Sequence, residues 1–357
     1  MAKETSFSST RAFLAIFLIY VAPSMAQQFR CTSGGRCNAL IDYVSPNTTT
    51  LSAIQNLFGV RNLPSLLGAN NFPLSTAPNR TVSANQTVKI PFPCLCANGT
   101  GTSNRQPLYK VVSGDGLYHI AAEVFSGLVT FPQIQAVNNI SDANVINVGQ
   151  ELWIPLPCSC DDVGGERVVH YGHLVASGST VEGIAQQYNT SAAVLLTLNG
   201  LTSPNDLKAD SVLDVPLKAC TSMVNNTSLD YPLLVSNGTY VLTATNCVKC
   251  KCDAANNWTL QCEPSQLNSS SWQSCPVKQC QGTDSLYLGN TTSSSACNRT
   301  TCAYAGYNNQ TILTTLAVES TCPVPDNSAL KFSLKGWNWN ILLISIHLVL
   351  LLHHLFQ

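Results

Sequence analysis

Charge is what this sequence has least of. Only 10% of its 357 residues are charged, and 18 Lys and Arg against 19 Asp and Glu leave a formal net charge of -1. No basic field remains for a phosphate backbone, which excludes nucleic-acid binding. Histidine is scarce too: His347, His353 and His354 sit in the C-terminal apolar run and His119, His170 and His173 are scattered, so no metal-ligand spacing exists. There is no Gly-x-Ser-x-Gly elbow. Asp161, Asp162 and Glu166 cluster, but in a Gly-rich stretch that reads as a solvated turn rather than the flanking carboxylates of a glycosidase. No catalytic residue, metal or cofactor is therefore expected. Neither apolar run, Ala12 to Ala22 or Ile341 to Phe356, has the roughly 20 residues that span a bilayer. Disorder is excluded by a hydrophobic content of 45%, and the length suits two or three domains.

What is present points outside the cell. Residues 1–26 carry Lys3 and Arg11, then the apolar stretch, then Ser24-Met25-Ala26, the pattern of a secretory signal peptide. At the other end, residues 323–340 hold the small residues Asn327-Ser328-Ala329 and a polar spacer, and 341–357 form an apolar tail. This is the pattern of a glycosylphosphatidylinositol (GPI) signal, with Asn327 expected as attachment residue ahead of Asp326 and Ser328. Glycan acceptors stand at Asn47, Asn79, Asn85, Asn98, Asn139, Asn189, Asn225, Asn226, Asn237, Asn257, Asn268, Asn290, Asn298 and Asn309. Sixteen cysteines, an even number, are expected to be oxidised in that compartment. Ten lie in 220–322, where Cys247-x2-Cys250-x-Cys252 reads as disulfide rather than zinc chemistry, with five bridges and short strands such as Tyr240 to Leu242 expected.

One pattern occurs three times. Leu51/Leu117/Val181 and Ile54/Ile120/Ile184 open a helical face, Asn70/Asn138/Asn199 close a second helix, and Ile90-Pro91/Ile154-Pro155/Val215-Pro216 end each copy. In the middle copy Lys110 to Val112 reads as a strand and Ser113 to Gly116 as a turn. Leu117, Ile120, Ala121, Val124 and Phe125 share one helix face, Thr130 with Gln133 starts a capping box, and Glu151 to Ile154 is a closing strand. The order is strand, helix, helix, strand.

Gly114-Asp115-Gly116-Leu117-Tyr118-His119-Ile120-Ala121, Asn138 and Leu152-Trp153-Ile154-Pro155 together resemble the LysM module; Ser177 to Ala185, Asn199 and Asp214-Val215-Pro216 match it nearly as well. The first copy has Pro46 to Leu51 where the glycine turn belongs, a divergence that puts its ligand site in doubt. With Cys94-Leu95-Cys96 and Cys158-Ser159-Cys160 between copies, the chain resembles the plant GPI-anchored LysM proteins over most of its mature length. That resemblance implies an α+β fold of three tandem βααβ modules, 39–93, 109–157 and 171–218, after a Cys-containing segment 27–38 and before a Cys-rich, mainly β or irregular module, 220–322. It also implies the bridges Cys31–Cys96, Cys37–Cys160 and Cys94–Cys158; from spacing alone six cysteines allow 15 pairings.

The resemblance further implies a non-enzymatic co-receptor for chitin acting with a LysM receptor-like kinase in plant innate immunity, attached to the membrane by its lipid. A long oligomer could hold two copies in a ligand-bridged homodimer. The site it implies is a groove of the middle module between two loops, taking in Gly114, Asp115, Gly116, Leu117 and Tyr118 from one and Ile140, Ser141, Asp142, Asn144, Val145 and Ile146 from the other. Leu117 and Ile146 read equally well as core residues. A neutral N-acetylated sugar suits apolar contacts and backbone amides, whereas the carboxylates of peptidoglycan favour Lys or Arg, which these loops lack. Peptidoglycan binding is the alternative ligand, and a structural wall or plasma-membrane glycoprotein the alternative of another class.

Overall fold

A computed structural model describes residues 29–320 apart from 277, 284 and 294–297. The signal peptide, Asn327 and the apolar tail lie outside the described residues. The chain divides into two compact units, one of residues 1–290 with 301–316 and one of 291–300 with 317–357. Of the second, residues 291–293, 298–300 and 317–320 are among those described; all three repeats lie in the first.

Strand, helix, helix and strand succeed one another three times. The first repeat has Gly35–Val44, Leu51–Leu57, Leu63–Ala69 and Thr87–Ala97. The third has Val168–Leu174, Val181–Gln187, Ala192–Leu198 and Val212–Lys218. Each of these four helices starts on a side-chain cap: Thr50, Asn62, Thr180 and Ser191 accept from the amides of Ala53, Ser65, Gly183 and Val194.

The middle repeat runs Leu108–Lys110, Leu117–His119, Phe131–Val137 and Glu151–Trp153. Its opening strand ends at Lys110 rather than Val112, because the Val112 N–H is taken by the Asp115 carboxylate at 2.8 Å. Thr130 N–H donates to Gln133 Oε1 at 2.8 Å, the reciprocal half of the capping box. Its first helix continues as a π-turn, Ile120–Val124. The reason is a single extra residue. Phe58 and Tyr188 close their helices by donating to Ile54 and Ile184, four residues back, whereas Phe125 donates to Ile120, five back. The bulge keeps Phe125 buried, edge-on to Phe58 at 5.5 Å and Tyr109 at 5.8 Å.

The second helix of every repeat ends on an asparagine that grips the last strand. Asn70 Nδ2 donates to Leu66 O and Lys89 O, both at 2.8 Å, while its Oδ1 accepts from Lys89 N–H at 2.9 Å. Asn138 does the same with Ile134 and Trp153, and Asn199 with Leu195 and Asp214.

One six-stranded sheet holds two of the repeats. Its order is Arg30–Cys31, Gly99–Ser103, Thr87–Ala97, Gly35–Val44, Val168–Leu174, Val212–Lys218, antiparallel except where Leu40 and Ile41 of the first repeat pair in parallel with Tyr171 and Gly172 of the third. The middle repeat keeps its own ribbon, Leu108–Lys110 against Glu151–Trp153. Copies read as a tandem array are thus joined out of order. At the junction buried Asp42 accepts from the Tyr171 hydroxyl and lies 2.7 Å from His173 Nδ1.

Cys31–Cys96, Cys37–Cys160 and Cys94–Cys158 are disulfides. Cys37 and Cys94 face each other across the sheet, so the two ends of Cys158-Ser159-Cys160 are tied to neighbouring strands. Asp161, just beyond, accepts from the Thr32 and Ser33 amides at 2.8 Å, so it clamps the N-terminal segment rather than standing in a solvated turn.

The Cys-rich part forms a sheet of Thr239–Thr243, Val248–Cys252 and Gln261–Pro264. Its bridges are Cys220–Cys252, Cys247–Cys275, Cys250–Cys262 and Cys280–Cys302. The remaining cysteines, Cys297 and Cys322, lie outside the described residues. This part seats against the first repeat at Gly68, where a Cβ would stand 2.2 Å from Tyr240 O, while the Tyr240 hydroxyl donates to Phe72 O at 2.7 Å.

Asn199→Ala strands the Asp214 amide and carbonyl in the interior and is expected to destabilise the protein by about 2 to 4 kcal/mol in denaturant titration. The histidine at the same strand makes stability depend on pH. His170 is buried with Nδ1 2.9 Å from Asp214 and Nε2 2.7 Å from Asp161 O, so both ring nitrogens face acceptors. Burial opposes a charge on His170, yet Asp214 and the Asp161 carbonyl outweigh it and raise the pKa; burial raises that of Asp214 as well. The folded pair therefore holds its protons more tightly than the unfolded chain. Its stabilisation is fully present below the ordinary carboxylate range and lost as pH rises, the last part through the raised pKa of His170. Thermal midpoints measured across neutral to alkaline pH should fall, and the fall should be shallower in His170→Gln.

Candidate functional site

The two loops of the middle repeat leave the same end of its ribbon. Lys110 pairs with Glu151, and the ladder extends one step as Val111 N–H donates to Gln150 O at 2.9 Å and Gly149 N–H to Val111 O at 2.8 Å. Beyond that step one loop runs through Gly114 to the helix at Leu117, and the other arrives from the helix ending at Asn138.

In the first loop Gly114 adopts φ +93°, where a side chain would be strained, and neither Gly114 nor Gly116 has a neighbour where a Cβ would stand. The second loop is folded on itself. Ile140 N–H donates to Gln135 O and Gln135 Nε2 to Ile140 O, while Asp142 Oδ1 accepts from the Asn144 amide at 2.9 Å. Ser141, Asp142 and Asn144 are exposed; Ile140 and Ile146 are half-buried against the core.

Two residues expected to meet ligand do not present their side chains. Leu117 is 2% exposed and belongs to the core, because it is the first inward position of the helix. The Asp115 side chain is 1% exposed and already filled: it accepts from Tyr109 OH at 2.9 Å and Val112 N–H at 2.8 Å, and lies 2.9 Å from His119 Nδ1. Burial works against its ionisation, yet these donors hold the carboxyl below the usual range. Burial and Asp115 together push Tyr109 up to about 12.

What the loops do present is apolar. Tyr118 is 69% exposed and Val145 62%, and two residues that sequence reasoning passed over join them, Val112 at 54% and Val148 at 70%. Val112 lies past the strand that ends at Lys110, and Val148 lies just past Ile146; an apolar residue in an otherwise polar turn is the signal each carries. Of the eleven large apolar side chains exposed among the described residues, six are in the middle repeat and none in the first or third. The cation beside these loops is Lys110, whose Cε lies 3.8 Å from where a Gly149 Cβ would stand. Such a surface can hold a neutral ligand by apolar contact and backbone hydrogen bonds. Asn139, an acceptor for glycan, is exposed at the head of the second loop.

The LysM domain family model matches residues 109–155 and 173–216, the middle and third repeats. LysM domain-containing GPI-anchored protein 2 of Arabidopsis thaliana is 47% identical over 94% of this chain and 95% of its own length. The chain belongs to the LysM domain-containing GPI-anchored proteins. The chitin elicitor-binding protein of Oryza sativa subsp. japonica is 41% identical over 93% of this chain and 92% of its own. The crystal structure of the ectodomain of a receptor like kinase overlays 52% of this chain and 93% of its own, with 24% identity and a TM-score of 0.44. Within this LysM domain-containing GPI-anchored protein, the apolar loops fall in a repeat that the family model matches. The first repeat, outside both matched ranges, has the same element order.

If Leu117 is core and Tyr118 surface, truncation should separate them. Leu117→Ala is expected to cost about 2 to 5 kcal/mol of stability by calorimetric melting, and Tyr118→Ala less than about 0.5.

Proposed function

We propose that this protein is a cell-surface co-receptor that captures chitin, oligomers of N-acetylglucosamine, and signals through a partner LysM receptor kinase in plant innate immunity. It is not an enzyme, is held at the outer face of the membrane by a GPI lipid at Asn327, and is built as LysM modules at 39–93, 109–157 and 171–218 with a Cys-rich module at 220–322. The observation that carries the ligand is the exposure of Val112, Tyr118, Val145 and Val148 on the two loops of one repeat. An acetamido methyl needs apolar contact and a sugar ring stacks on an aromatic face. The family and the names of its members support the same reading. Ile140 and Ile146 pack against the core beneath the second loop, and no atom stands within 4 Å of the Cβ positions of Gly114 and Gly116.

Lys110 favours the second reading, an anionic glycan such as peptidoglycan, since a cation at the base of the loops would meet a carboxylate. Calorimetric titration of the purified protein decides. Saturable heat with chitin oligomers that weakens about tenfold or more in Tyr118→Ala and Val145→Asp is expected. Heat with peptidoglycan fragments alone, lost in Lys110→Ala, would transfer the ligand. Silence with both would leave a structural wall or plasma-membrane glycoprotein.

A repetitive polymer can occupy two copies at once, and bivalent capture raises apparent affinity without a new contact. Light scattering should show long oligomers making a dimer and short ones binding without doing so; a dimer at saturating trimer would overturn the bridging mode.

A further inference from the structure

The three repeats solve the same local problem in two ways. In the third repeat the residue after the turn glycine, Gly178, is Ser179, and the next, Thr180, caps the helix through its hydroxyl. Thr50 does so in the first. In the middle repeat the residues after Gly114 are Asp115 and Gly116, and Gly116 offers no side-chain cap. A capping hydroxyl holds the first turn of its own helix and nothing else. The Asp115 carboxylate instead joins three elements: the strand through the Tyr109 hydroxyl, the loop through the Val112 amide, and the helix through His119. His119 in turn lies 3.5 Å from the exposed Glu123. The repeat that trades its cap for this clasp is also the one whose loops expose large apolar side chains.

We propose that Asp115 is a positioning residue for ligand capture: its buried carboxylate fixes the pose of Val112 and Tyr118, so that the loop is ordered before the sugar arrives rather than by it. The proposal rests on the reading of the middle repeat as the sugar site. A surface of exposed side chains on an unsupported loop loses affinity to the ordering of that loop on binding, and a preorganised one does not. A carboxylate with 1% of its side chain exposed, on a loop that is otherwise solvated, is the means by which this chain supplies that order.

The test imports the third repeat's solution. Asp115→Ser with Gly116→Thr places Ser179-Thr180 chemistry at the middle helix; Gly116 has φ -131° against -119° at Thr180, and no atom stands within 4 Å of its Cβ position, so the cap can form. Its affinity for chitin oligomers is read against Gly116→Thr alone, which keeps the clasp, together with the thermal midpoint and the hydrogen exchange of the Val112 amide. The expected result is a midpoint below that of Gly116→Thr, because the Tyr109 hydroxyl and the Val112 amide lose their acceptor, with the protein still folded at the assay temperature, faster Val112 exchange and affinity lower by about tenfold, mostly through faster dissociation; Asp115→Asn should recover part of it because its amide oxygen can still accept from Val112. Faster Val112 exchange with affinity equal to the Gly116→Thr variant would overturn the positioning role. Absence of chitin binding by the unaltered protein would instead overturn the sugar-site reading, and the role of Asp115 in capture with it. If the double variant melts early, the Asp115→Asn protein carries the same comparison of exchange against affinity.

Discussion

A side-chain amide that imitates backbone is the constraint on which each repeat turns. The residues gripped by Asn70, Asn138 and Asn199, namely Lys89, Trp153 and Asp214, each have an N–H and a C=O pointing toward the end of a helix where no strand can follow. A primary amide offers an acceptor and a donor side by side in one plane, the pair a neighbouring strand would offer, and its second N–H still reaches the carbonyl four residues back. Aspartate lacks the donor and glutamine stands one methylene away. With helix and strand joined at that point, helices of seven residues or fewer, far below the length at which isolated helices persist, are held against their ribbon.

Such small repeats carry little core apiece, and the remaining stability comes from joining them. The first and third share a sheet through a parallel junction, buttressed by Asp42 with Tyr171 and His173. The middle ribbon is fastened through Ser103, whose hydroxyl donates to Ile154 O at 3.0 Å and accepts from Leu156 N–H at 3.1 Å. Disulfides then tie the segment Cys158-Ser159-Cys160, which follows the middle repeat, to two neighbouring strands of the shared sheet at Cys94 and Cys37, adding constraint on the unfolded chain.

The repeat, its element order and the asparagines were readable in the sequence because they are local: period, cap and turn chemistry all lie within about 45 residues. The sheet was not, since parallel pairing of residues 40 and 171 depends on contacts no window contains. The π-turn was written in the sequence as one residue more between Leu117 and Phe125 than between Leu51 and Phe58, and it was missed because helical spacing tolerates a slip of one. At the site, the loops were legible as turns between apolar segments. The fate of single side chains was not, because Leu117 and Tyr118 are adjacent and both largely apolar, and only the helix's direction decides which faces in. Asp115 looked like a ligand contact for a comparable reason: a charged residue in a turn is usually solvated, and its three partners come from positions 109, 112 and 119 that close around it only when the repeat folds.

The division of labour between repeats comes from where the strands go. Strands of the first and third repeats are committed to the shared sheet, and their loops expose no large apolar side chain among the described residues. The middle repeat contributes no strand to that sheet, so changes in its loops leave the sheet's register untouched. An added residue in its first helix, a glycine in place of a cap and four apolar side chains in solvent are each a local cost, and all fall in this repeat. The first and third repeats keep a capping hydroxyl at the start of their first helix and an ordinary i to i+4 closure at its end, so these costs are confined to the repeat whose strands stand apart. The shared sheet is what makes that concentration tolerable, since it holds the chain together by contacts in which those loops take no part.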